Sequence, residues 1–89
     1  MQFIYANDNK ISGTIPENIG DSRNLMILRL ENNSITGKLP ESMVNLQLLN
    51  DFRITNNYID VNNTDYLKSN SNYSNWRFEN QNNNIKPNN

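Results

Sequence analysis

The chain has 89 residues, a formal net charge of −1, and neither cysteine nor histidine, which excludes disulfide and thiolate–metal frameworks and the commonest metal ligand. Eight basic residues stand against nine acidic ones without a basic run, so we expect no nucleic-acid partner. No stretch approaches the roughly 20 apolar residues that span a bilayer, so we also expect no membrane insertion by this segment.

A block of sequence recurs every 24 residues. Asn9–Glu17 (NKISGTIPE) returns as Asn33–Glu41 (NSITGKLPE), and its beginning returns as Asn57–Ile59 (NYI). A fixed period of this size indicates a solenoid, in which each repeat buries its apolar side against its neighbours. The sequence therefore predicts an α/β-type solenoid.

Each repeat begins with a short predicted strand. Ile4–Ala6, Leu28–Leu30 and Phe52–Ile54 place apolar side chains at every second position, which is the pattern of a half-buried strand. Stacked in register, these strands form a short parallel sheet with about 4.8 Å between neighbours. Side chains on its outward face are the candidate ligand-binding residues: Phe3, Ile27 and Asp51 in one column, and Tyr5, Arg29 and Arg53 in the next.

Asparagine follows each predicted strand, at Asn9, Asn33 and Asn57. The chain turns out of the sheet there and leaves backbone N–H and C=O groups without a strand partner. An asparagine amide can bond both kinds of group. We expect these three residues to form a structural ladder on the inside of the turn.

Glycine and proline mark the return to the next strand. Gly13 and Gly37 predict a backbone conformation that a Cβ would hinder. Pro16 and Pro40 restrict φ at the start of a return segment, which we expect to be a 3-10 or short helical piece. Its apolar side chains are expected to point to the core, and they are Ile19, Met43 and Leu46.

The pattern changes in the third repeat, where Val61 and Thr64 occupy the glycine and proline positions. Repeats are therefore predicted over 1–61, divided as 1–24, 25–48 and a partial 49–61, with a C-terminal cap over 62–78 and a disordered tail over 79–89. The aromatic side chains of the cap are expected to cover the last repeat, because an uncovered end would expose the core.

The stretch Leu25–Glu41 follows the pattern L-x-x-L-x-L-x-x-N-x-I-[ST]-G-x-[IL]-P-E. It resembles the leucine-rich repeat family, in the 24-residue form typical of plant receptor ectodomains and also found in bacterial surface proteins. The resemblance covers about Met1–Val61, and it implies a strand sheet on a concave face that binds ligands. It also implies a receptor-like protein that is extracellular or at the cell surface. Met1–Lys10 lacks the features of a signal peptide, so secretion would depend on sequence outside this chain.

The resemblance and the strand face together predict a recognition module, a C-terminal fragment of a larger solenoid that binds a protein or peptide. Tyrosine and arginine are favoured interface anchors, and two stacked arginines can bind a carboxylate or phosphate. A second interpretation of the same column is a solvated surface, with Arg29 and Arg53 paired to Glu31 and Asp51.

An alternative function is structural, as an end cap or a self-assembly unit. Met1 already occupies an inward position, so the N-terminal strand edge would be open to pairing with another chain. We predict neither metal site nor cofactor, since Asp8, Asn32 and Asn56 offer too few carboxylates for calcium. We predict no enzyme, because the recurrence of Glu17 and Glu41 follows from the repeat itself.

Overall fold

The computed structural model describes residues 1–82 and shows an α/β unit with two parallel three-stranded sheets. Sheet 1 contains β1 (Gln2–Tyr5), β3 (Leu25–Arg29) and β5 (Asp51–Arg53), in that order. Sheet 2 contains β2 (Ser12–Thr14), β4 (Ser34–Lys38) and β6 (Tyr58–Asp60). Each 24-residue segment thus contributes one strand to each sheet.

The register of sheet 1 follows the 24-residue step of the sequence. In the first outward column, Phe3 pairs with Ile27, and Ile27 pairs with Asp51. In the second column, Tyr5 pairs with Arg29. Arg29 in turn pairs with Arg53. The predicted parallel sheet and both of its outward columns are therefore confirmed in their alignment.

Sheet 2 was not predicted, because the sequence was interpreted as one strand per segment. Its paired residues lie 22 positions apart, as in Gly13 with Ile35 and Gly37 with Ile59. The two glycines have φ of 85° and 87°, a region that side chains with a Cβ rarely adopt, which confirms their expected role. The alternation of Ile35, Gly37 and Leu39 was the available signal for this second strand.

The return segments are 3-10 turns, which is one of the two forms that the sequence predicted for them. They span Glu17–Asp21, Glu41–Asn45, Asp65–Leu67 and Tyr73–Asn75, and residues 1–82 contain no α-helix. Pro16 and Pro40 precede the first two turns with φ of −60° and −63°. No helix among the described residues has the length and apolar character to cross a bilayer.

The hydrophobic core lies between the two sheets and the 3-10 turns. It contains Ile15, Leu25, Leu28, Ile35, Leu39, Met43, Leu46, Leu49, Phe52, Ile54, Ile59, Leu67 and Trp76. Ile19 packs against this cluster while partly buried. The first segment contributes little to the core, because Met1, Ile4 and Ile11 are 85%, 43% and 38% exposed.

The C-terminal residues continue the 24-residue spacing of hydrogen bonds beyond the predicted repeats. Gln81 lies 24 positions after Asn57, and its amide donates to the carbonyls of Ile54 and Phe78 while its oxygen accepts from the Ile59 N–H. These hydrogen bonds lie beyond 61 and 79, and the two boundaries stay predictions. Residues 83–89 of that tail lie outside the described part of the chain.

Aromatic side chains cover the third segment. The Trp76 ring meets the Phe52 ring edge-on at 5.6 Å between centroids, and its indole N–H donates to the Leu49 carbonyl at 2.8 Å. Tyr73 lies 6.0 Å from Trp76, and its hydroxyl is hydrogen-bonded to Thr64. Phe52 and its neighbours are fully buried as a result.

Candidate functional site

The asparagine ladder forms on the inside of the turns after β3 and β5. The Asn33 amide donates to the carbonyls of Leu30 and Glu31 and, across segments, to that of Ala6. Its oxygen accepts from the Ile11 N–H at 3.0 Å. One buried side chain thereby satisfies backbone groups of two segments. Each such group, if buried without a partner, would lower the stability of the fold by about 1–3 kcal/mol.

Asn57 repeats these contacts one segment later, whereas Asn9 makes only some of them. Asn57 is fully buried and bonds the carbonyls of Leu30 and Ile54 and the N–H of Ile35. Asn9 is exposed, and among residues 1–82 its amide bonds only the carbonyls of its own turn. The predicted ladder thus has two complete members, with Gln81 as a third that the sequence interpretation missed.

The outward face of sheet 1 brings the six candidate binding residues together. Phe3 and Tyr5 are 53% and 58% exposed, although both lie in a hydrogen-bonded strand. The Arg29 guanidinium lies over the Tyr5 ring, with 5.3 Å between Cζ and the ring centroid, a distance typical of a cation–π contact. Ile27 and Asp51 complete the neighbouring column.

Asp51 lies between two arginines of the adjacent column. Its Oδ2 accepts from Arg29 Nη2 at 2.7 Å and from Arg29 Nε at 3.1 Å, and its Oδ1 accepts from Arg53 Nε at 3.0 Å. One carboxylate therefore bridges two stacked guanidinium groups. The predicted pairing of the column with Asp51 is present, while no salt bridge within residues 1–82 involves Glu31.

The electrostatics of this bridge favour its charged form. Burial acts to raise the pKa of Asp51, but the hydrogen bonds from Arg29 and Arg53 outweigh burial and lower that pKa below its ordinary value. The hydrogen bond to Asp51 raises the pKa of Arg29. Both partners therefore stay charged at neutral pH.

Arg77 extends the same column and was missed by the sequence interpretation, which ended the repeats at 61. It lies 24 residues after Arg53 and forms a parallel β-bridge with it. Its backbone N–H donates to the Phe52 carbonyl, and its carbonyl accepts from the Ile54 N–H, both at 2.8 Å. The column is therefore Tyr5, Arg29, Arg53 and Arg77. Counting in steps of 24 past 61 would have found it.

A second side-chain row lies just after the strands of sheet 1. Asn56 donates to Asn32, and Asn32 donates to Asp8. Asp8, Asn32, Asn56 and Asn80 all have φ near +60°, which short polar side chains tolerate better than most. Within residues 1–82, no three acidic side chains lie close enough together to hold a metal ion. Asp8, Asn32 and Asn56 therefore form a row of hydrogen-bonded side chains at the turns after the strands of sheet 1.

An open cleft of about 260 Å³ lies beside the 3-10 turns, lined by Glu17, Lys38, Leu39, Pro40, Glu41 and Tyr66. The Tyr66 hydroxyl donates to the Leu39 carbonyl, and burial followed by the nearby charge of Glu41 raises the pKa of Tyr66. Tyr66 thus remains a protonated donor near neutral pH. Nothing in the lining of this cleft favours a catalytic role for Glu17 and Glu41.

Comparison of the chain with protein-family models, curated proteins and solved structures gives no match.

Proposed function

We propose that this protein is a recognition module of the leucine-rich repeat type, a short solenoid that binds a protein or peptide through the outward face of sheet 1. The observation that carries the proposal is the aligned pair of columns on that face. Exposed Phe3 and Tyr5 stand beside Arg29 and Arg53 on parallel strands that pair at Phe3 with Ile27 and at Arg29 with Arg53. Aromatic and arginine side chains on a rigid surface are the usual anchors of protein interfaces.

Several features support the solenoid interpretation beyond the sequence pattern. Both sheets are parallel, and each pairs a strand of one segment with the corresponding strand of the next. The amide ladder of Asn33, Asn57 and Gln81 repeats one set of hydrogen bonds in each step. A location at the cell surface follows only from the resemblance and is part of the same proposal.

A selection from random peptides displayed on phage tests the function. We expect enriched peptides whose dissociation constants rise about tenfold or more for Tyr5→Ala and Arg29→Ala, because anchor residues typically contribute above about 1.4 kcal/mol. Lys38→Ala is the matched control, since Lys38 is exposed on sheet 2. Failure to enrich any peptide, or equal weakening by Lys38→Ala, would contradict the proposal.

A second candidate function is self-association through β1. Its support is the exposure of three apolar side chains of the first segment, Met1, Ile4 and Ile11, with Ile4 in the edge strand β1 of sheet 1. Within residues 1–82, Asn9 donates to local carbonyls and lacks the contact to a neighbouring segment that the Asn33 oxygen makes. An unpaired strand edge of this kind is a template for a second chain.

Sedimentation velocity decides between the two candidates. Self-association predicts a concentration-dependent dimer or larger species that Ile4→Asp and Ile11→Asp dissociate. Recognition through sheet 1 predicts that Tyr5→Ala and Arg29→Ala leave the oligomeric state unchanged. A monomer at every concentration would remove the second candidate.

A further inference from the structure

We infer that the ligand of the sheet 1 face is an acidic peptide, and that one of its aspartate or glutamate carboxylates binds between Arg53 and Arg77. This inference rests on the proposed function and specifies the chemistry of its partner. It begins with the arginine column, in which three guanidinium groups recur at 24-residue steps at Arg29, Arg53 and Arg77.

The first step of this column shows what fits between two of its arginines. The Asp51 carboxylate uses one oxygen for Arg29 and the other for Arg53, at 2.7 Å and 3.0 Å. One carboxylate on β5 therefore reaches a guanidinium group of its own strand and one of the neighbouring strand. Arginine recognises such a group through directed N–H donors, and hydrogen bonds between charged partners are about twice as strong as neutral ones.

The second step of the column has the same backbone geometry but a different neighbour. The Leu30 N–H donates to the Arg53 carbonyl at 2.7 Å, and the Ile54 N–H donates to the Arg77 carbonyl at 2.8 Å. The residue equivalent to Asp51 is Asn75, whose side-chain amide donates to Asn50. The position that holds the carboxylate of the first arginine pair therefore holds an uncharged amide beside the second pair, and this amide bonds Asn50.

Arg53 and Arg77 keep donors available for a ligand. Arg53 contacts Asp51 only through Nε, and its side chain is 47% exposed. Arg77 is exposed, and no salt bridge within residues 1–82 involves it. Residues 83–89 contain no aspartate or glutamate. Within residues 1–82, Arg77 thus has no carboxylate partner, whereas Arg29 and Arg53 share Asp51.

The surroundings favour a peptide carboxylate over a polyanion. Glu79 follows Arg77 by two residues, as Glu31 follows Arg29, and these two carboxylates would repel a ligand with closely spaced negative charges. The exposed rings of Phe3 and Tyr5 further along the face can contact apolar side chains of a peptide. A single carboxylate flanked by apolar residues matches both features.

Titration followed by NMR of the arginine Nε–Hε groups tests the inference with the whole chain. The probe is the peptide acetyl-Gly-Glu-Gly-amide, and the paired probe carries glutamine in place of glutamate. We expect the glutamate peptide to shift the Arg53 and Arg77 signals in a saturable way, with no such effect of the glutamine peptide. Inorganic phosphate is the second anion, and we expect it to bind more weakly.

Three variants make the test specific. Arg77→Gln should weaken binding about tenfold or more, which corresponds to about 1.4 kcal/mol, because it removes one of the two guanidinium groups that hold the carboxylate. Asp51→Asn should create a second site at which the Arg29 signal also shifts. Arg23→Gln is the matched control, because Arg23 is exposed outside the strands of sheet 1.

Three results would overturn the inference. These are the absence of saturable shifts, unchanged affinity in Arg77→Gln, and tighter binding of phosphate than of the glutamate peptide. None of them removes the proposed function, because the phage selection can still enrich non-acidic peptides that depend on Tyr5 and Arg29. If that selection also fails, both proposals are wrong.

Discussion

The first and third segments of this chain use the same sequence template with opposite results. Ile4 and Phe52 occupy equivalent positions of sheet 1, yet Ile4 is 43% exposed and Phe52 is fully buried. Asn9 is exposed, whereas the equivalent Asn57 is fully buried. The third segment has a packed neighbour on both sides within this chain, and the first has one on a single side. The stability contributed by a template residue therefore depends on its neighbours.

The largest expected effect comes from the apolar pair. Phe52→Ala should lower the free energy of unfolding by about 3–5 kcal/mol, because it removes a ring packed against Trp76 and leaves a cavity. Ile4→Ala should change it by less than about 1 kcal/mol, because the side chain is partly solvated already. Urea denaturation measures both values.

If Phe52→Ala fails to fold, Phe52→Leu provides the smaller truncation for the same comparison. Equal costs at the two positions would show that burial at β1 is greater than the structure indicates.

The next effect comes from the amide ladder. Asn57→Ala should cost about 3 kcal/mol, because it leaves the Ile35 N–H and the carbonyls of Leu30 and Ile54 buried without their partner. Asn9→Ala should cost about 0.5 kcal/mol, because water can replace its exposed contacts. The midpoints of thermal unfolding should fall in the same order, and a reversed order would contradict the comparison.

A smaller effect is expected at the end of the described chain. Gln81→Ala should cost about 1 kcal/mol, because its partly buried amide bonds the Ile54 carbonyl and the Ile59 N–H. Asn82→Ala is the control, since Asn82 bonds Asn57 only through its backbone N–H. Equal stability of the two variants would place the end of the ladder at Asn57.

The smallest effect concerns pH. The folded pKa of Asp51 lies below its unfolded value, so the unfolded state binds more protons near pH 4 and the carboxylate contributes its stability above that pH. This contribution is lost as pH falls through the folded pKa. Asp51→Asn should therefore flatten the decline of the melting temperature below about pH 4. An unchanged profile would show that the bridge to Arg29 and Arg53 adds nothing to folding.

Much of the strand face was predictable because its register follows the repeat. The columns of Phe3 and Tyr5 were placed correctly from the spacing alone, since parallel strands of equal repeats align at equal positions. The carboxylate bridge was predicted only as one interpretation. Which arginine it would contact depends on side-chain conformations across strands, and Asp51 contacts both.

The C-terminal part was less predictable because its residue types change while its geometry does not. Val61 replaces glycine and Thr64 replaces proline, so pattern matching ended the repeats at 61 before it reached Gln81. The longer glutamine side chain still reaches the same kind of backbone groups. Arg77 was missed for the same reason.

The sequence by itself determined the 24-residue step, the inward and outward sides of sheet 1, the positive φ of Gly13 and Gly37, and the position of the amide ladder. These features depend on local spacing and on the conformations that each residue type permits. The tertiary structure alone decided the second sheet, the continuation to Gln81, the sharing of Asp51 by two arginines, and the burial of each segment. These depend on which atoms of neighbouring segments meet, because only contact removes a side chain from water or completes its hydrogen bonds.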